Sequence, residues 1–141
     1  MQRKASAIWN GDLKNGHGRI STASGVLADT QYSFSTRFED GRGTNPEELI
    51  AAAHAGCFSM ALSAQLSGAG LPPDEVSTEA TVTLDKVDGG WAVTKSHLEV
   101  SAKIPNADAA KFHELAEAAK AGCPISKLLK AEITMNAVLV G

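Results

Sequence analysis

The sequence predicts an α+β fold with mainly antiparallel sheets around a long buried central helix. Strand-like runs are grouped early in the chain and again in its middle, instead of alternating one by one with helices. Between the groups lies a helical stretch, residues 45–67, that is apolar or small on nearly every side. With 141 residues, 43% of them hydrophobic, the chain can bury a core without disulfide or metal staples, so we predict a single domain over residues 1–141.

The first segment, residues 4–38, is predicted to be a β-meander. Turn-forming sequences rich in Asn, Gly and Ser separate its strand-like runs. In the third run, Tyr32 and Phe34 fall on one face of a strand, and Arg37 falls on the other. The predicted strands are residues 5–9, 18–21 and 31–38.

The central helix has a strong start signal. Asn45 is a good N-cap, Pro46 fits the first turn, and Glu48 occupies the capping-box position. Gly68 and Gly70 are expected to end the helix. A helix without a solvated face has to be buried, and one small sheet can cover only part of it. We therefore expect a second subunit to cover the rest.

The second half of the chain is predicted to contain a hairpin, two helices and a closing strand. Residues of alternating character flank the turn sequence Asp88-Gly89-Gly90. An amphipathic helix follows, Gly122 stops it, and Pro124 opens a short helix. The predicted bounds are 76–85 and 91–103 for the hairpin, 108–121 and 124–129 for the helices, and 133–140 for the strand.

Composition argues against two classes of partner. The formal net charge is −3 and aromatic residues make up only 5%, which favours neither nucleic-acid backbones nor stacked bases. Residues 49–73 carry no charge, but they are mostly Ala, Gly and Ser and lack flanking Lys or Arg and an aromatic belt, so we expect no membrane insertion. The polar N-terminus has no apolar signal segment, so we expect a reducing, cytoplasmic setting.

The two cysteines are candidates for individual roles, because neither belongs to a CxxC pair. Cys57 lies midway along the central helix, where it is either a small core residue or a reactive thiol. Cys123 precedes Pro124 at a helix start, where N–H groups favour a thiolate. Two such thiols can form a disulfide during turnover, one attacking an oxidant and the other resolving the sulfenic acid.

Other polar residues near the cysteines have weaker signals. His54, three residues before Cys57, is expected to be a hydrogen-bonded interior residue, because no paired ligand spacing indicates zinc. We expect no metal and no cofactor. A reactive thiol needs a cation nearby, and Arg37 and Arg42 precede the helix in a loop that can fold back over it. Arg42, between two glycines, is interpreted as a solvated surface charge.

Several runs together resemble a known family. A Thr-Asn-Pro-Glu motif stands ten residues before a helical cysteine, and a Cys-Pro pair follows sixty-six residues later. The matching runs are residues 36–38, 43–49, 52–60, 84–87 and 120–126, so the similarity covers essentially the whole chain. In these features the sequence resembles the osmotically inducible protein C (OsmC) branch of the OsmC/Ohr family of hydroperoxide reductases.

The resemblance implies a thiol peroxidase of oxidative and osmotic stress defence, an oxidoreductase that prefers organic hydroperoxides to hydrogen peroxide. It implies an intertwined homodimer with sites at the subunit interface, and a small dithiol reductant of the dihydrolipoamide type. By position, Cys57 matches the peroxidatic cysteine, Cys123 the resolving one, Glu47 the motif glutamate and Arg37 the family's arginine. Arg19 competes with Arg37 for the last role.

The implied site poses a question of distance. A carboxylate such as Glu47 can hold a guanidinium in place with two hydrogen bonds. Ten residues of helix, however, put Glu47 about 15 Å along the axis from Cys57. An intervening arginine, or Glu47 from the partner subunit, would close that gap. The alternative function is a non-catalytic stress protein or apolar-ligand carrier on the same dimeric fold, which would have no need for Cys123.

Overall fold

A computed structural model describes residues 1–141. The chain divides into two units, Met1–Leu49 and Ile50–Gly141, and helix α2 runs from the first into the second. The first unit contains β1 (Ala5–Asn10), β2 (His17–Thr22), β3 (Thr30–Tyr32), α1 (Phe34–Phe38) and the start of α2 (Pro46–Gly68). The second contains β4 (Glu75–Val87), β5 (Gly90–Lys103), α3 (Ala109–Gly122), α4 (Pro124–Leu128) and β6 (Glu132–Val140).

The first unit has an antiparallel sheet in the order β1-β2-β3, which confirms the predicted meander for its first two strands. The rings of Trp9 and Tyr32 lie 5.4 Å apart on this sheet. Gly18 is buried beside them, and a Cβ atom there would collide with both rings. The close approach of the two rings therefore depends on the absence of a side chain at position 18.

The predicted third strand is wrong beyond Tyr32, where the chain turns into the short helix α1. Ser33 caps this helix: its side chain accepts from the Thr36 N–H, and the Thr36 hydroxyl accepts from the Ser33 N–H. This reciprocal capping box outweighs the strand preference of the aromatic and Thr residues. As a result, Arg37 lies in the last turn of a helix and not on the face of a strand.

Helix α2 begins and ends as the sequence predicts. The Asn45 side chain accepts from the Glu48 N–H at 2.8 Å, while the Glu48 carboxylate accepts from the hydroxyl of Thr44. At the other end, Gly70 has a φ of 76° and the Leu71 N–H reaches back to the carbonyl of Leu66. A residue with positive φ and a bond back into the last turn is a common helix stop.

One stripe of α2 is buried in this chain and the opposite side is exposed. The buried stripe repeats every four residues and consists of His54, Phe58, Leu62 and Leu66. Met60, on another side of the helix, is 77% exposed. Although α2 is long and apolar enough to cross a membrane, its buried stripe packs within the second unit. That a second subunit covers the exposed side stays a prediction.

The second unit has a sheet in the order β4-β5-β6. β4 and β5 form the predicted hairpin, from Glu75 opposite Lys103 to Val87 opposite Gly90. β6, in contrast, runs parallel to β5, because α3 and α4 carry the chain back to the starting end of β5 before β6 begins. Parallel neighbours require such a crossover connection. The sheets are thus antiparallel except for this last pair.

The core of the second unit lies between its sheet, α2 and α3. β5 contributes Leu98, Val100 and Ala102, which alternate along the strand. The predicted apolar stripe of α3 is confirmed, and its buried members are Phe112, Leu115, Ala116 and Ala119. Cys123, directly after α3, belongs to the same buried cluster.

Candidate active site

The two cysteines meet in the second unit although they are 66 residues apart in sequence. Cys57 projects from α2 at the edge of its buried stripe and is partly exposed, whereas Cys123 is completely buried. Both thiols are free, and the Sγ atoms of Cys123 and Cys57 lie 2.9 Å apart, at hydrogen-bonding distance. The pair therefore combines one thiol that is partly open to solvent with a second that is enclosed in the core.

Local structure fixes Cys123 at the junction of two helices. Its N–H donates to the carbonyl of Ala119 at 2.9 Å, which closes the last turn of α3. Pro124 takes the first position of α4, with Cys123 as its N-cap residue. Because proline has no N–H and its ring clashes with a continuing helix, α3 has to stop here. The chain direction changes at Cys123 and brings its sulfur to α2.

The environment shifts the pKa values of the two thiols in opposite directions. Burial raises the pKa of the Cys57 thiol, and the hydrogen bond with Cys123 raises it further. Burial also acts to raise the pKa of Cys123, but the Cys57 thiol, the N–H groups of Ser126 and Ile125 and the Ser126 hydroxyl outweigh it, so that the pKa of Cys123 is lowered. Two sulfurs this close titrate as a pair, in which one thiol stabilises the other as a thiolate.

His54, three residues before Cys57 on α2, is completely buried. Its Nδ1 atom lies 2.6 Å from the hydroxyl of Ser96 on β5, and its Nε2 atom lies 2.8 Å from the hydroxyl of Ser126 on α4. Burial lowers the pKa of His54, so the ring is neutral. The expectation of a hydrogen-bonded interior histidine is confirmed. No group of three or more His, Cys, Asp or Glu side chains that could hold a metal ion is present.

Arg37 and Glu47 form a two-point ion pair within the first unit. The Nε atom of Arg37 donates to Oε1 of Glu47 at 2.9 Å, and its Nη2 atom donates to Oε2 at 3.1 Å. The carboxylate side chain is only 12% exposed, whereas the guanidinium side chain is 36% exposed. The side-chain amide of Asn45 also donates to the carbonyl of Thr36, which ties α1 to the start of α2. These contacts orient the Arg37 guanidinium, and its Nη1 atom makes no hydrogen bond to Glu47.

A cleft of about 230 Å³ lies beside Arg37 in the same unit. Four aromatic rings line most of it, those of Trp9, Tyr32, Phe34 and Phe38. The rings of Phe34 and Phe38 are 4.8 Å apart, and the Arg37 guanidinium lies 5.4 Å from the centre of the Phe38 ring. An apolar wall next to one positive charge suits a molecule with an organic body and a polar end.

The two other candidate arginines have no such setting. Arg19 lies on β2, opposite Ile8 and Gln31, and is exposed. Arg42 is exposed in the loop before α2, as interpreted from the sequence. Of the predicted site residues, the structure therefore brings Cys57 together with Cys123 in one unit and Arg37 together with Glu47 in the other.

Two residues of the cysteine environment were missed by the sequence reasoning, namely Ser96 and Ser126. Ser126 could have been found, because it lies three residues after Cys123 at the start of a predicted helix, the spacing of a capping box. Ser96 could not, since it meets His54 from a strand 42 residues away.

The family of the chain follows from comparison with known proteins. The family model described as OsmC-like protein matches residues 39–138. The chain belongs to the OsmC family. The matched residues include both cysteines, His54, Glu47 and Ser126.

Curated relatives and solved structures extend the similarity of this OsmC-family chain. It is 54% identical over 136 residues to Peroxiredoxin OsmC of Escherichia coli K12, covering 96% of this chain and 95% of the relative. It is 33% identical over 100 residues to an organic hydroperoxide resistance protein of Xanthomonas axonopodis, covering 70% and 68%. The crystal structure of the organic hydroperoxide resistance protein OhrB of Bacillus subtilis matches with a TM-score of 0.69 and 28% identity, over 97% of this chain and 98% of that one.

Proposed function

We propose that this protein is a two-cysteine thiol peroxidase that reduces organic hydroperoxides, and hydrogen peroxide more weakly. The observation that carries the proposal is the 2.9 Å contact between the Cys57 and Cys123 sulfurs. A covalent S–S bond is about 2.05 Å long, so the pair needs an approach of only about 1 Å to close. Membership of a family whose relatives are named peroxiredoxin and organic hydroperoxide resistance protein supports the same activity.

Cys57 is the residue that attacks the peroxide. It is partly exposed, whereas Cys123 is buried, so a peroxide reaches Cys57 first. The Cys57 thiolate attacks the terminal oxygen, the O–O bond breaks and its electron pair leaves with the alkoxide. The proton lost by the thiol balances the alkoxide, which becomes an alcohol. The sulfur is oxidised by two electrons to a sulfenic acid.

Cys123 then resolves the sulfenic acid. Its thiolate attacks the sulfur of Cys57, the S–S bond forms, the S–O bond breaks and hydroxide leaves. The hydroxide takes up a proton from the solvent and becomes water, which offsets the proton that Cys123 released when it ionised. The low pKa of Cys123 provides a thiolate for this step. A small dithiol of the dihydrolipoamide type afterwards reduces the disulfide and regenerates both thiols.

Arg37 supplies the charge that makes Cys57 a thiolate, and Glu47 holds it in position. An arginine stays protonated and lowers the pKa of a nearby thiol by direct charge stabilisation. The two-point pair leaves Nη1 of Arg37 for a thiolate or a peroxide oxygen. The aromatic cleft beside Arg37 would hold the organic part of the substrate, which favours alkyl or lipid-derived hydroperoxides.

The working form is an intertwined homodimer with composite sites, and residues 1–141 act as one domain in it. Exposed apolar surface supports this proposal: Met60 on α2 is 77% exposed, and Leu13 and Ile8 in the first unit are 62% and 51% exposed. Both sheets have only three strands, whose edges offer unpaired backbone groups to a second chain. A partner that covers the exposed side of α2 would make it the buried central helix.

The proposed setting is a soluble, cytoplasmic protein of stress defence that works without nucleic acid, membrane, metal or cofactor. The buried stripe of α2 is occupied by the core of the second unit and includes the polar His54, which argues against a lipid environment. Two free thiols at hydrogen-bond distance fit a reducing compartment, where they are restored after each turnover.

Peroxide consumption by the purified, fully reduced protein tests the proposal. Cumene hydroperoxide and hydrogen peroxide would be compared, with dihydrolipoamide, dithiothreitol and glutathione as donors. We expect catalytic turnover with the dithiols, faster with cumene hydroperoxide, and none with Cys57→Ser. The matched control is Ser59→Ala, two residues further along α2. Equal turnover by wild type and Cys57→Ser would overturn the proposed function.

A further inference from the structure

The indole ring of Trp9 is held in place from two sides. Trp9, Gly18 and Tyr32 lie next to one another in register across β1, β2 and β3. The Trp9 and Tyr32 rings meet over the missing side chain of Gly18, with their centroids 5.4 Å apart. On the other side, the indole N–H donates to the carbonyls of Gly11 and Asp12, at 3.1 and 3.2 Å. These contacts fix the position of the ring.

The turn between β1 and β2 supplies the two carbonyls that bind the indole. The Asp12 carboxylate accepts from the N–H of Asn15 at 2.6 Å, and the Asp12 carbonyl also accepts from the N–H of Gly16 at 3.0 Å. A Cβ atom at Gly16 would collide with the indole nitrogen, so glycine here leaves room for the ring. Because the turn is closed by its own hydrogen bonds, the indole is in place before any ligand binds, which lowers the entropy lost on binding.

Trp9 forms part of the wall of the cleft of about 230 Å³ beside Arg37. An apolar cavity of about 150 Å³ takes up benzene, whereas drug-sized ligands fill roughly 300–1,000 Å³, so this cleft has room for one ring with a short substituent. The neighbouring rings are tilted, by 58° between Trp9 and Tyr32 and by 46° between Phe34 and Phe38. Tilted rings offer faces and edges to a further ring, and such aromatic pairs attract beyond the area that they bury.

We propose that Trp9 is a specificity-determining residue, which makes the cleft select hydroperoxides whose organic group carries a single aromatic ring. This inference rests on the proposed function and narrows its class of substrate. The aromatic ring of the substrate would lie against Trp9, with its peroxide group towards Arg37, the one charged side chain of the cleft wall. Trp9 takes no part in the bond changes. Its removal should therefore alter the choice among hydroperoxides and leave the chemical steps intact.

The first test compares kcat/KM for three peroxides with a dithiol donor. Cumene hydroperoxide has a ring where tert-butyl hydroperoxide has a methyl group, and hydrogen peroxide has no organic group. We expect Trp9→Leu to lower kcat/KM for cumene hydroperoxide about tenfold relative to hydrogen peroxide, and to change that for tert-butyl hydroperoxide less. Trp9→Phe keeps an aromatic wall and should recover most of the preference. Trp91→Leu, the same substitution in the second unit, should match wild type.

The second test measures binding without any reaction. The chain contains two tryptophans, so in Trp91→Phe the fluorescence reports Trp9 alone. The probe is 2-phenyl-2-propanol, the alcohol formed from cumene hydroperoxide, and the comparison is tert-butanol. We expect a saturable change in fluorescence with the aromatic alcohol, at a Kd about fivefold lower than with tert-butanol. Because this measurement leaves Trp9 intact, it decides the matter even if Trp9→Leu folds poorly.

The outcomes distinguish this inference from the proposed function. If wild type consumes none of the three peroxides, the proposed function fails, and with it any selection among hydroperoxides. If wild type is active but folded Trp9→Leu keeps the wild-type ratio of kcat/KM between cumene hydroperoxide and hydrogen peroxide, the inference is overturned while the peroxidase stands. An equal loss with all three peroxides in folded Trp9→Leu would have the same meaning. So would the lack of a saturable fluorescence change with 2-phenyl-2-propanol.

Discussion

Arg37 and Glu47 face each other at the junction of α1 and α2 with both guanidinium-to-carboxylate hydrogen bonds formed, at 2.9 and 3.1 Å. The pair exists within one chain, so the two residues would enter a composite site together. Asn45 strengthens the junction by capping α2 and binding the carbonyl of Thr36 at the same time. The charge of Arg37 is therefore oriented before any substrate arrives.

Removing the proposed thiolate cation should slow only the first oxidation. In Arg37→Ala we expect the Cys57 pKa to rise and its reaction with peroxide to slow at least tenfold below pH 8, because the thiolate fraction falls. In Glu47→Gln the Cys57 pKa should rise and the oxidation rate should fall by smaller amounts, because this variant removes the partner that orients Arg37 and not the positive charge itself. The measurement is the pH dependence of the oxidation rate under excess peroxide. A shifted profile in Arg19→Ala with an unchanged one in Arg37→Ala would transfer the role to Arg19.

Loss of the second cysteine should stop the reaction after one turnover. Cys123→Ser is expected to consume one equivalent of peroxide and then to stall as a sulfenic or overoxidised Cys57, because no thiol remains to resolve it. Thiol titration and intact mass after a single addition of peroxide would measure this. Sustained turnover with a dithiol donor would instead mean that Cys123 is dispensable.

The exposed side of α2 should be covered by a second copy of the chain. We expect a dimer at micromolar concentration in sedimentation equilibrium, and a weaker dimer in Met60→Glu, which puts a charge on the 77% exposed side chain. The matched control is Ala118→Glu, at an exposed position of α3 outside its buried stripe. An active 14.6 kDa monomer would contradict both the dimer and the composite site.

Because His54 is buried, the free energy of unfolding should depend on pH at values above those at which carboxylates titrate. Its pKa is lowered in the folded protein, so the unfolded chain binds more protons as pH falls through about 6.5. The stability contributed by neutral His54 is present above that pH and is lost progressively as the pH falls below it. Urea unfolding at a fixed protein concentration would measure the loss. In His54→Gln the difference between pH 7 and 5 should be smaller.

The cap of α2 should support both stability and the ion pair. Asn45→Ala removes the bond to the Glu48 N–H and the bond to the Thr36 carbonyl, and we expect a loss of about 1–2 kcal/mol in the free energy of unfolding. Peroxide oxidation should also slow, because Arg37 loses its fixed position. Asn45→Asp keeps the bond from the Glu48 N–H but cannot donate to the Thr36 carbonyl, so this variant separates the cap from the second bond. Equal stability of Asn45→Ala and wild type would contradict the role of the cap.

Local signals in the sequence predicted most elements, and contacts distant in sequence explain the differences. The hairpin, the stripe of α3 and both ends of α2 follow from alternation, periodicity and capping residues. The strand predicted over 31–38 was wrong because Ser33 and Thr36 form a reciprocal cap that composition conceals. β6 runs parallel to β5 because α3 and α4 return the chain to the starting end of β5. No local pattern in the sequence predicts that return.

In the candidate site, too, local motifs predicted some of the residues, and contacts between residues distant in sequence determine the others. Cys57, Cys123 and Glu47 were identified from motifs, and the structure gives each a partner. That Glu47 can hold the Arg37 guanidinium was predicted from the chemistry of the two side chains. The short helix that carries Arg37 was not predicted. Ser96 depends on a contact between α2 and the middle of β5, which only the folded chain creates.

A covalent bond between Cys57 and Cys123 would tie together a segment that contains β4, β5 and α3. In the unfolded chain that bond would close a loop of 66 residues and remove about 4 kcal/mol of chain entropy by the loop-closure relation. The oxidised protein should therefore melt at a higher temperature and resist proteases longer than the reduced one. Each encounter with a peroxide would leave the molecule temporarily harder to degrade, until a dithiol restores its ordinary lifetime.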